Sequence, residues 1–168
     1  ETWGRQFTMT RQAFINDDIG FLTTVPSRYA ASARKTQNKQ VYEIMVNNAA
    51  IYDGAVLFSK VHKNVLASGT GITQAAVQKM FLALQAQKDE EGEAIIIRPA
   101  IIVVPIGLAF DMFTLFNSPT INTAGNTQSA NPLYNYRTSI MIVEDPTINA
   151  LAGDDPAPWF VIGDRGDT

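Results

Sequence analysis

Apolar positions are densest between Ala94 and Val104, where Ala94-Ile95-Ile96-Ile97-Arg98-Pro99-Ala100-Ile101-Ile102-Val103-Val104 lacks polar residues at alternate positions. A strand with one wet face alternates, so this β-branched run predicts a buried strand covered on both faces. Pro105 cannot donate to a sheet ladder, and its fixed φ suits the first turn of a helix. The chain is therefore expected to pass from strand to helix there. Ile106, Phe110, Phe113 and Leu115 or Phe116 then predict a wide apolar face on a helix from Ile106 to Phe116.

Upstream, Phe7 to Ile15 is loosely alternating and predicts a strand, after which Asn16, Asp17 or Asp18 can cap a helix. Ile19, Leu22, Tyr29, Ala30, Ala33, Val41, Ile44 and Met45 follow helical spacing approximately. Pro26 lacks an N–H, which predicts a short first turn and then a long helix from about Ser27 to Asn47. Asp53-Gly54 marks a turn, with a loop through Val61 to Gly71. Thr73 is placed to cap a helix whose Ala76, Val77, Met80, Phe81 and Leu84 form one stripe, ending in the turn Lys88-Asp89-Glu90-Glu91-Gly92.

Downstream, residues 117–132 carry no charge and many turn formers, which predicts an exposed projection. Thr138 to Val143 reads as a strand ended by Glu144-Asp145-Pro146. Trp159-Phe160-Val161-Ile162 reads as the last strand, after a Gly-Asp-Asp-Pro loop. Strands and helices in this order predict an α+β fold with small mixed sheets.

The length of 168 residues suits one domain, or two lobes sharing a sheet, and 17% charged residues leave surface that partners could cover. A net charge of −3 supplies no field for gripping phosphate backbones. The absence of cysteine excludes disulfides, thiolate nucleophiles and cysteine metal sites. No apolar run approaches the ~20 residues that span a bilayer, so no membrane association is expected. Glu1 at the start and the uncapped Gly166-Asp167-Thr168 at the end suggest a piece of a longer chain.

No phosphate cradle, dinucleotide loop or nucleophile with its base is spelled out. His62 is the one histidine; a general base needs a positioned partner, and a loop-packing role is favoured. Asp17-Asp18 and Asp154-Asp155 are adjacent, so their side chains point apart, and capping or turn roles suit them better than a dyad or metal clamp. Gly69-Thr70-Gly71 lacks the rest of a phosphate loop, and Arg165-Gly166-Asp167 reads as incidental. Arg28, Arg34, Lys35 and Lys39 form a basic cluster on the long helix, suited to a solvated face or a salt bridge between subunits. No catalytic, cofactor or metal residues are assigned.

The order of Arg11-Gln12-Ala13-Phe14-Ile15-Asn16-Asp17-Asp18, Leu57-Phe58 through His62-Lys63-Asn64, Val104-Pro105, Asn131-Pro132, Val143-Glu144-Asp145-Pro146 and Trp159-Phe160 resembles the gpT-like major head subunits of Mu-like phages and prophages. The resemblance implies the tailed-phage capsid fold of the Hong Kong ninety-seven type, with an arm and hairpin before the region matching Glu1 and a strand-bearing segment after Thr168. It implies a peripheral-domain-like region at 1–94 with a spine helix, an axial-domain-like region at 95–162 and a truncated end at 163–168.

The same resemblance implies a structural protein that self-assembles into hexamers and pentamers of an icosahedral shell around DNA. It would act without catalysis or cofactor, in the virion and, during assembly, in the host cytoplasm. Its partners would be copies of itself, with scaffold or portal proteins and at most weak, non-specific contact with DNA. Candidate interface residues are Asn117, Asn122, Asn126, Asn131, Arg28, Arg34 and Lys35. The alternatives are an encapsulin-like compartment subunit and a small hydrolase using His62.

Overall fold

The long apolar run becomes a strand only in its second half. The computed structural model describes residues 4, 6, 8–16, 20–66, 71–89, 91–122, 127–153 and 157–167. Its helices are α1 (Arg11–Ile15), α2 (Phe21–Asn47), α3 (Gln74–Gln85), α4 (Ala109–Asn117) and α5 (Pro146–Ala152). Its strands are β1 (Pro99–Val104), β2 (Thr120–Asn122), β3 (Gln128–Ala130), β4 (Met141–Glu144) and β5 (Phe160–Gly163), with 3-10 turns at Pro132–Tyr136 and Arg165–Asp167.

The chain divides into two compact units, Glu1–Val41 and Tyr42–Thr168. In the first, residues 11–15 are helical rather than extended. The Phe14 and Asn16 amides donate to the Thr10 and Gln12 carbonyls at 3.1 Å each, and Arg-Gln-Ala favours helix over strand. Pro26 does not restart α2, because in the second turn it forfeits a single intrahelical bond. The helix begins after Gly20, at φ +62°, whose carbonyl accepts from the Thr23 hydroxyl at 2.7 Å. Asp17, Asp18 and Phe7 lie outside the described residues.

In the second unit β1 is the middle strand of a sheet ordered β4-β1-β5, parallel to β4 and antiparallel to β5. Both faces of β1 are covered, as its lack of alternation predicts. Ile102 and Val104 pack with Val77, Phe81, Ala109, Met112, Phe116, Leu133 and Ile140 on one side. Val103 packs with Tyr42, Ile148 and Phe160 on the other. Residues 95–98, by contrast, alternate in exposure outside any strand, and Ile96 is 74% exposed. The first core also spans the expected division at residues 94 and 95, since Val77 and Phe81 of α3 share it with β1.

Thr73 caps α3 as predicted, accepting from the Ala76 amide at 3.2 Å, but Met80 and Leu84 are only half-buried. The helix stops at Gln85, and a turn closed by Gly92 at φ +86° comes after it. After Pro105 a two-residue turn precedes α4. The Ile106 amide donates to Asn149 Oδ1 at 2.8 Å and the Gly107 amide to Glu144 Oε1 at 2.7 Å. The face that α4 buries is Ala109, Met112 and Phe116; the predicted Ile106, Phe110 and Phe113 point outward. The strand expected from Thr138 begins at Met141. The helix α5, which the sequence reading did not assign, is started by Asp145, whose Oδ1 accepts from the Thr147 amide at 2.8 Å, with Pro146 in its first turn.

Candidate functional site

Residues 48–64 fold into a loop whose polar side chains bond back to its own backbone. Asn48, at φ +47° just past α2, donates through Nδ2 to the Phe58 carbonyl at 3.0 Å and accepts from the Phe58 amide at 2.6 Å. Asn64 accepts from the Ser59 amide at 3.0 Å and donates to the Leu57 carbonyl at 2.8 Å. Gly54 closes the predicted Asp53-Gly54 turn at φ +80°, and Asp53 Oδ1 accepts from the Ala55 amide at 3.0 Å.

This turn brings the other carboxylate oxygen of Asp53 to 2.7 Å from His62 Nε2, a partner that the spacing of nine residues did not reveal. His62 Nδ1 lies 3.0 Å from both the Leu57 carbonyl and Ser59 Oγ. Serine, histidine and aspartate are thus in contact, but the roles do not run as nucleophile activation requires. A base must face the serine with an unprotonated nitrogen. Here Nδ1 also faces a carbonyl, which can only accept, and Nε2 faces a carboxylate. Both nitrogens face acceptors, so the geometry favours the doubly protonated ring over a neutral base. The Asp53 hydrogen bond, then that of the Leu57 carbonyl, raises the His62 pKa, and the same His62 bond, then the Ala55 amide, lowers that of Asp53. The arrangement is a charge-assisted lock on a loop. Among the described residues no group of three His, Cys, Asp or Glu side chains could hold a metal.

A groove of about 960 Å³ opens beside this loop, with Met45, Phe58, Leu66, Met80, Leu84 and Trp159 in its wall. Its amide side chains are engaged with backbone. Asn48 and Asn64 bond as above, Gln87 donates to the His62 carbonyl at 3.2 Å, and Asn149 accepts from Ile106. What the groove presents is mostly apolar and suits apolar side chains rather than a charged ligand.

The predicted projection is a hairpin of β2 and β3 in register Ile121 with Ser129. Asn117 and Asn122 are exposed on it or at its base, and Asn126 lies outside the described residues. Asn131 is not a surface residue: it is 4% exposed, and its side chain is engaged with three backbone groups. Arg28, Arg34 and Lys35 are exposed on α2, in the other compact unit. Arg165-Gly166-Asp167 forms a short 3-10 turn with the Gly166 amide on Asp164 Oδ1 at 3.1 Å. Gly69, Thr70, Asp154 and Asp155 lie outside the described residues. The contact of Asp53 and Ser59 with His62 and the outward aromatic stripe of α4 are the features that sequence reasoning missed.

Comparison with protein-family models matches the whole chain, residues 1–168, to a family described as phage capsid protein. Searches of curated proteins and of solved structures return no match.

Proposed function

We propose that this chain, which belongs to the phage capsid protein family, is the major head subunit of a Mu-like phage or prophage and assembles into the hexamers and pentamers of a shell around DNA. The observation that carries this reading is the family match across every residue. Capsid proteins are structural, and the work of such a subunit is repeated contact with its own copies. Ring-closing, heterologous contacts suit that task. Each contact can be weak because the shell multiplies it.

On this reading the fold is of the tailed-phage capsid type, with α2 as its spine helix and residues 95–162 as its axial region, which α3 underpins. The low net charge of −3 fits a container that does not grip its densely packed contents. No helix among the described residues is long and apolar enough to cross a membrane, which agrees with a location in the virion. The locked His62 loop then has a structural role. The test is velocity sedimentation of the full-length protein beside its His62→Ala variant. Both are expected to form particles of the same size, and a chain that sediments only as a monomer would refute the reading.

A further inference from the structure

α4 is apolar on two sides, and folding uses one of them. Ala109, Met112 and Phe116 face the core, while Phe110 and Phe113, three apart, remain 77% and 47% exposed, and Ile106 in the turn before the helix is 56% exposed. Single exposed apolar residues are ordinary, but two phenylalanines on one helix face, led into by an exposed isoleucine, are more than that. The stripe is also fixed in place. The turn that carries Ile106 is tied to Asn149 and Glu144, and Gly107 at φ +91° sets its direction.

The segment that carries these residues is nearly free of charge, with the Glu144 carboxylate held at the turn beside Ile106. From Pro99 to Tyr136 the chain carries a single charged residue, Asp111. The neighbouring hairpin offers Thr120, Asn122, Gln128 and Ser129, all exposed and neutral. On another side of α4 a hollow of about 440 Å³ separates the helix from the hairpin, lined by Asp111, Thr114, Ser118, Thr120 and Asn122 among others. Exposed aromatic side chains on a charge-poor segment match the composition of a protein interface. Nucleic acid or an anionic lipid surface would require Lys and Arg, and this segment has none.

We propose that the outward aromatic face of α4 is the surface on which a second copy of this chain docks. The choice of a second copy rests on the capsid reading above, because a shell wall is made of subunits touching subunits. The area agrees with that use. Side chains of these sizes and exposures present on the order of 350 Å² of apolar surface. A lone stable pair buries about 800 Å² on each partner. The stripe is thus too small to hold an isolated dimer, yet large enough to centre one contact of a ring that many contacts close.

Two variants of the full-length protein test this. Phe110→Ser, whose side chain is mostly outside the core, should keep the wild-type melting temperature and weaken self-association at least tenfold by sedimentation. Asn117→Cys places a lone thiol at the end of the stripe in a chain without cysteine. Its reaction with a maleimide dye should be at least tenfold slower in assembled particles than in dissociated subunits, a readout that holds even if Phe110→Ser folds poorly. Particles in which that thiol reacts as fast as in free subunits would overturn the docking surface while leaving the capsid reading intact. A wild-type protein that never associates would remove both.

Discussion

Asn131 is the most informative residue to perturb, because the sequence suggests a surface role and the structure gives it an interior one. Pro119 lies four residues after Leu115 and has no N–H, so the Leu115 carbonyl at the end of α4 lacks its helical donor. Asn131 Nδ2 supplies one at 2.7 Å and donates also to the Ser118 carbonyl at 2.8 Å. Its Oδ1 accepts from the Leu133 amide at 3.0 Å, starting the 3-10 turn, and its backbone amide closes the hairpin on the Pro119 carbonyl at 3.0 Å. Asn131→Ala removes three side-chain bonds at a site 4% exposed. At about 1 kcal/mol net each, the loss is about 3 kcal/mol. Asn131→Asp keeps the acceptor for Leu133 but sets a carboxylate against two carbonyl oxygens, so its folded-state pKa must rise above the ordinary value. A raised carboxyl pKa means that the folded state prefers the protonated form, so the deficit of this variant should shrink as pH falls through that pKa. Urea denaturation of dilute, unassembled protein from pH 4 to 8, followed by tryptophan fluorescence, measures both. A cost below about 1 kcal/mol for Asn131→Ala, or a pH-independent deficit for Asn131→Asp, would refute the reasoning.

Phe116 is 1% exposed and touches the ring of Phe81 at 6.4 Å between centroids, so Phe116→Ala should cost about 3–5 kcal/mol in the same assay. His62, the one histidine, should show a single imidazole NMR titration with its midpoint above the usual 6.5, falling toward it in Asp53→Asn. Since the His62 pKa is raised and that of Asp53 lowered, the lock contributes fully between the ordinary values of the two groups, 3.8 and 6.5, and fades as pH leaves that window in either direction. The Tyr42 phenol, 7% exposed, is pushed up to about 12 by burial first and by the Asp145 carboxylate second. Ultraviolet titration should find that late tyrosine, and Asp145→Asn should lower its midpoint without returning it to 10.

The sequence made legible what local chemistry decides. Pro105 ends the strand, Thr73 starts α3, Asp53-Gly54 turns the chain, and the unbroken run at β1 foretells cover on both faces. It was silent where two answers satisfy the same pattern. The nine residues of α4, Ala-Phe-Asp-Met-Phe-Thr-Leu-Phe-Asn, carry two apolar stripes, and only the packing of Leu133 and Ile140 on one side decides which is buried. In residues 95–98 the isoleucines suit a strand, but no neighbouring strand is there to pair with them among the described residues. α5 begins with Asp145-Pro146, a helix-starting pair that serves equally to end a strand, and both occur here. The histidine lock depends on a loop returning Asp53 across nine residues, which periodicity does not report.

The central claim, a capsid subunit that works by touching its own copies, is tested most directly by electron microscopy of the full-length protein after expression. The account predicts closed particles of uniform size with five-fold and six-fold clusters in the wall. Monodisperse single subunits across the accessible concentration range, or open aggregates without rotational order, would contradict it.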